Sequence, residues 1–254
     1  MSRDRFLSHG RGLLLALVGI AAILWLAFSG QLVLYIHPRY VVFTVVMAII
    51  AGVVAIAAAA FLPRAGEAED GHEHAPRPPR RARWLTAGSI ALILAATGVL
   101  LVVPPSTLTS STVAQRELNA SATTADSGDG PALVTGDGSS FTVKDWAGLL
   151  RQGVDEDFLA RAAPDVTGFV TPDPDDPENV FYVARFVVTC CAVDAQPVGV
   201  PVYLPGWRDE HPVDSWVRVT GRFAANPSAT SMQSLVIDPA SVTAIDQPAD
   251  PYVY

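Results

Sequence analysis

Hydrophobic positions follow two regimes along this chain. Residues 12–36, 40–62 and 84–103 form apolar runs with no charged side chain. A bilayer-spanning helix needs roughly 20 apolar residues, so each run predicts a span. Pro38, Pro63, Pro104 and Pro105 sit just outside runs, where proline ends a helix at little cost. Beyond Pro164 the pattern changes to strict alternation. Val180 to Thr189 alternates as a half-buried strand, with Val180, Tyr182, Ala184, Phe186, Val188 and Cys190 on one face. Phe181, Val183, Arg185, Val187, Thr189 and Cys191 share the other face. That face carries the polar side chains, so the first is expected to meet the core. Val198, Val200, Val202 and Leu204 share one face of a following strand.

Other elements fill the interval. Thr142 to Asp145 has capping-box form before Trp146, Leu149 and Leu150, and Gly153 can close that helix. Residues 155–163 predict a second short helix, stopped by Pro164. Val166 to Thr171, Trp216 to Phe223, Leu235 to Ile237 and Ser241 to Ile245 predict further strands, with a break at Asp238–Pro239. Short strands at this spacing, separated by turn signals, predict a small barrel or sandwich, best matched by a five-stranded OB-type barrel. The expected fold is thus three transmembrane helices followed by an all-β OB-like domain with a short helical lead-in. Its parts are a membrane region over 1–103, a flexible linker over 104–131 and a β domain over 132–254. The linker expectation rests on the Ser, Thr, Ala, Asp and Gly content of residues 106–130, which gives little to bury.

Charge then sets orientation. Residues 1–103 hold nine Arg and five acidic residues, about +4; residues 104–254 hold eight basic and twenty acidic residues, about −12. Arg3, Arg5 and Arg11 precede the first run, and Arg64, Arg77, Arg80, Arg81 and Arg83 lie between the second and third. The first connection has only His37 and Arg39. The positive-inside bias places the N-terminus and second connection in the cytoplasm, and three crossings put the acidic domain outside a multi-pass plasma-membrane protein. That acidity repels polyphosphate, so no nucleic-acid partner is expected. No run contains an ionisable side chain, which argues against ion or proton transport by this chain alone. Small residues such as Ala48, Ala51, Gly52 and Ala55 can let helices approach closely in the bilayer.

Candidate chemistry is sparse. Cys190 and Cys191 are the only cysteines. At the end of an alternating strand, one thiol should point in and its neighbour out. The pair can close a strained disulfide, give thiolates to Cu(I) or Zn, or simply pack. Asp194 is either a third ligand or the cap of the turn that follows. His72 and His74 in the cytoplasmic loop, beside Glu73, offer a second metal set, with a solvated charged loop as the plain alternative. Trp207, Trp216, Tyr252 and Tyr254 are candidates for a docking surface, with core packing as the alternative. His211 and the Asp175–Asp176 pair read as solvated loop residues. No Ser-His-Asp set or Gly-rich phosphate loop stands out, so a non-enzymatic protein is expected. The motifs do not fix a cofactor.

Several segments together resemble a known family. They are Tyr35 to Arg39, Gly168 to Val170, Arg185–Phe186, Thr189 to Ala195, Gly199 to Val202, Trp216 to Gly221 and the Pro251 to Tyr254 tail. This set resembles the YcgQ-type membrane proteins, described as subunits of a two-component permease. The resemblance implies a polytopic permease partner, and it implies no catalytic residues or substrate. The expectation is an accessory permease subunit whose β domain docks on or gates that partner. The alternative is a stand-alone metal-binding or thiol-redox ectodomain centred on Cys190–Cys191.

Overall fold

A computed structural model describes residues 3–61, 91, 95, 98, 107–123, 138, 140–153 and 156–254. The chain divides into two compact units, Met1–Ser106 and Thr107–Tyr254.

In the first unit, α1 spans Arg3–Phe28 and α2 spans Val41–Phe61. The first apolar run is not one span of 12–36. Its helix stops at Phe28 because Gly30 turns left-handed (φ 74°), and Gln31–Leu34 coils into a 3-10 turn. The apolar part of α1 is Gly12–Phe28, while Pro38–Ala59 is long and apolar enough to cross a membrane. Pro38 sits at the first helical position leading into α2, and the His37 ring accepts a hydrogen bond from the Arg39 N–H at 3.1 Å. Ala48 and Gly52, four residues apart, are the buried positions among the described side chains of α2, and Ile20 of α1 lies over Gly52. Val42, Phe43, Val53 and Val54 stay more than half exposed, so α2 carries an exposed apolar face. Of the third run, only residues 91, 95 and 98 are described, and they are helical. His72 and His74 lie outside the described residues.

In the second unit, five long strands close a mixed barrel. They are β1 (Asp165–Pro172), β2 (Val180–Val187), β3 (Gln196–Tyr203), β4 (Trp216–Ala225) and β5 (Leu235–Ile245). β2 pairs antiparallel with β1 and β3, and β4 pairs antiparallel with β1 and β5. A parallel contact at Val202 and Ile237 joins β3 to β5 and completes the circuit. The break expected at Asp238–Pro239 is a bulge inside one strand: the register shifts between Thr220 and Gly221. Gly221 is required there, since a Cβ would lie 2.3 Å from the Asp238 carbonyl oxygen. A two-residue strand, β6 (Tyr252–Val253), runs parallel beside the end of β2.

The interior holds Val166, Val170, Phe181, Val183, Val200 and Val217 among others. It also takes α4 (Val143–Gln152), whose Thr142–Asp145 capping box and left-handed Gly153 stop form as its sequence dictates. Trp146 of α4 is fully buried against the Phe141 and Phe223 rings. A short helix α5 (Glu156–Arg161) adds Leu159. The expected core face of β2 is therefore corrected. Phe181, Val183 and Val187 line the main core, while Phe169, Tyr182, Ala184, Phe186 and Val188 form a second buried cluster. Leu108, Val113, Leu118 and Trp216 pack against that cluster. Alternation could not choose between the faces because both are buried.

The cover is the segment expected to be a flexible linker. Residues 107–123 include α3 (Ser110–Val113) and dock on the barrel. Asn119 adopts positive φ and fastens the segment to β3, whose edge is open there because β5 meets it only at Val202. The Asn119 carboxamide accepts from the Gly199 N–H at 2.7 Å and donates to the Gly199 carbonyl at 3.0 Å. Its own N–H donates to the Pro197 carbonyl at 2.9 Å. One side chain thus replaces a missing strand partner.

Candidate functional site

β2 ends at Val187, and the chain turns through residues 189–195 before β3 begins. The Asp194 carboxylate builds this turn. Its Oδ2 accepts the Cys190 N–H at 2.7 Å and the Cys191 N–H at 3.3 Å, and its Oδ1 accepts the Thr189 N–H at 3.2 Å. The Asp194 N–H returns to the Cys191 carbonyl at 3.0 Å. Three N–H groups around one carboxylate satisfy donors that the departing strand leaves unpaired. Asp194 is therefore a cap, as one of its two sequence readings has it.

Because the turn starts before the cysteines, the in-and-out assignment of their thiols does not hold. Cys190 is exposed, Cys191 is half-buried, and both are free thiols. The two sulfurs and the Asp194 carboxylate all lie within 4.8 Å of one another. Partial desolvation, then the neighbouring Cys191 and Asp194, push the Cys190 thiol above its ordinary value, so it is protonated at neutral pH. Val193 at the tip is 84% exposed, and its carbonyl accepts from the Arg116 guanidinium at 3.1 Å.

The C-terminal tail borders the same turn. Tyr252 and Val253 pair with Phe186 and Val187, and the Val188 N–H donates to the Val253 carbonyl at 3.0 Å. Arg116, the Thr189–Ala195 turn and the tail are thus far apart in sequence and adjacent in space. Arg185 lies over the Trp216 ring at 5.4 Å, and burial lowers its pKa against the opposing pull of Asp250.

The four aromatic candidates divide. Trp207 is buried against Phe181, with ring centroids 5.2 Å apart, and Tyr252, the first residue of β6, is buried in the second cluster. Neither presents a docking surface. Trp216 is half-buried, and Tyr254 is 38% exposed. His211, read as solvated, is buried, with its N–H on the Trp207 carbonyl and its Nδ1 without a hydrogen-bond partner.

The sequence reading also missed a buried carboxylate network at the other end of the barrel. Asp173 Oδ1 accepts the N–H groups of Asp175 and Asp176 at 2.7 and 3.1 Å, and its Oδ2 accepts from the Ser231 hydroxyl at 3.0 Å. Asp176 accepts from Asn179 at 2.8 Å and from the Ser228 hydroxyl at 2.5 Å. The Ser228 hydrogen bond is the main cause that holds the Asp176 pKa below its usual value. Burial, then the Asp173 charge and hydrogen bond, push the Tyr182 phenol up. The Asp-Pro-Asp sequence at 173–175 is the Asx-turn signal that could have revealed the first half of this network.

Two family models match: the DUF1980 N-terminal domain over residues 11–119 and the DUF1980 C-terminal domain over residues 151–254. The chain carries both DUF1980 domains. The N-terminal match ends at Asn119, the residue that clamps the β3 edge, and the C-terminal match contains the whole cysteine turn and the tail. No curated protein and no solved structure matched the chain.

Proposed function

We propose that this DUF1980 chain is a membrane-anchored accessory subunit of a permease. In this reading the barrel is OB-like, three spans hold the chain in the plasma membrane with the N-terminus cytoplasmic, and the barrel lies outside. It docks on or gates a polytopic partner through the Thr189–Ala195 turn. The observation that carries the reading is the convergence of three distant segments on one projecting turn, with exposed Val193 at its tip. The helix Pro38–Ala59 and the outward apolar side chains of α2 support the anchor. The resemblance to YcgQ-type permease subunits supports the partner class.

A photo-crosslinker placed at Val193 in the full chain, expressed in membranes, tests this. The expected product is one polytopic membrane protein, absent when the crosslinker stands at Met232, which is equally exposed (81%) on another loop. Capture of the same protein from both positions, or of none from Val193, would overturn the docking assignment. A second reading, an ectodomain that acts alone through its thiols, is favoured by the two free cysteines. Replacing both cysteines separates the two: docking survives that change, and the stand-alone activity does not.

A further inference from the structure

We infer that the Thr189–Ala195 turn is a binding site for one Zn²⁺-class divalent cation, held by Cys190 Sγ, Cys191 Sγ and Asp194 Oδ1, with a fourth position open. The inference is independent of whether the barrel works alone or beside a partner.

Donor chemistry selects the ion. Two thiolates exclude Mg²⁺ and Ca²⁺, which take oxygen ligands. A carboxylate as third donor favours a borderline divalent ion over Cu(I), which prefers soft sulfur alone. The geometry is close to that of a bound site before any ion arrives. Zn–S bonds of about 2.3 Å at tetrahedral angles put sulfurs about 3.8 Å apart. The two sulfurs and one Asp194 carboxylate oxygen already lie within 4.8 Å of one another, so small side-chain rotations can close the set.

Asp194 keeps donor capacity while it caps. Its Oδ2 receives two N–H groups and Oδ1 only one, leaving an Oδ1 lone pair for a metal. The cap also fixes both cysteine backbones, so binding need not order the turn. Three protein donors with an open fourth position match exchangeable rather than closed structural zinc sites. The exposed position of Cys190 gives an ion direct access. Metal binding by thiols releases their protons, so affinity rises with pH.

The test is a Co²⁺ titration of the full chain in mild detergent under reducing conditions, followed by Zn²⁺ competition. The expected result is a sulfur-to-cobalt charge-transfer band that saturates at one equivalent and is bleached by Zn²⁺. Histidine and carboxylate sites elsewhere in the chain cannot produce that band. C190S/C191S should abolish it, and D194N should weaken affinity more than tenfold, with tryptophan fluorescence confirming an intact barrel. Absence of the band in the reduced native chain, its survival in C190S/C191S, or unchanged affinity in D194N would each overturn the assignment.

Discussion

Carboxylates cap backbone N–H groups at both ends of the barrel, but only one end also ties two loops together. At one end, Asp173 and Asp176 of the β1–β2 loop take hydroxyl hydrogen bonds from Ser231 and Ser228 of the β4–β5 loop. Beyond the N–H groups that Asp173 caps, side chains bind side chains here, and two loops are joined through the buried Asp173 and Asp176. At the other end, Asp194 spends its hydrogen bonds on backbone N–H groups of its own turn. There the side chains of Cys190, Cys191 and Val193 are left projecting. An acidic loop residue is thus no mark of a site by itself. What distinguishes the second end is the reactive chemistry that remains after Asp194 has satisfied three backbone N–H groups.

The largest expected effect breaks the first end. Asp173→Ala leaves two backbone N–H groups and the Ser231 hydroxyl, buried or half-buried, without their acceptor. It should destabilise the barrel by about 3 kcal/mol, read by chemical denaturation. Asn119→Ala comes next, at about 2 kcal/mol, because the Gly199 N–H and C=O lose their partner together. Hydrogen exchange at Gly199 should accelerate with it, and an unchanged Gly199 rate would return residues 107–123 to the status of a loose tether. Asp194→Ala should cost only about 1 kcal/mol, since water reaches the N–H groups it leaves.

These unequal effects also mark what could be read from the sequence. The strands, the Thr142–Asp145 cap and the Gly153 stop were legible because period, capping chemistry and left-handed glycine are local signals. The buried outer face of β2 was not, because its cover comes from a segment poor in apolar residues that relies on Leu108, Val113, Leu118 and one carboxamide. The end of α1 was written at Ser29–Gly30 inside an apolar run, where hydrophobicity alone masks it. At the site, Asp194 as a turn cap was legible from its place after the strand. The exposure of Cys190 was not, because it depends on β2 ending at Val187. His211 and Asp176 were misplaced for one reason: loop composition says little about burial when loops pack on one another.

Smaller effects sharpen the comparison by pH. The folded-state pKa of Asp176 lies below its usual 3.8, so its stabilising contribution is complete above that value and is lost as pH falls through the lowered one. Ser228→Ala should flatten the acid limb of the stability curve below about pH 4, and an acid limb identical to that of the native chain would remove the Ser228–Asp176 bond from the account. At the thiol end, Cys190 alkylation should rise about tenfold per pH unit through neutrality, since only the thiolate reacts and its pKa is raised. Cys190→Ser should shift stability by less than about 0.5 kcal/mol, because nothing folds over that side chain.

The division between a structural end and a working end is tested most directly by thermal unfolding of the full chain with and without Zn²⁺, followed through the buried Trp146 and Trp207. An ion that binds only the folded barrel raises its unfolding temperature by mass action. The account predicts a rise of several degrees in the native chain and none in C190S/C191S, with the two metal-free midpoints alike. No rise in the native chain, an equal rise in both, or a metal-free C190S/C191S barrel as weakened as Asp173→Ala would contradict it.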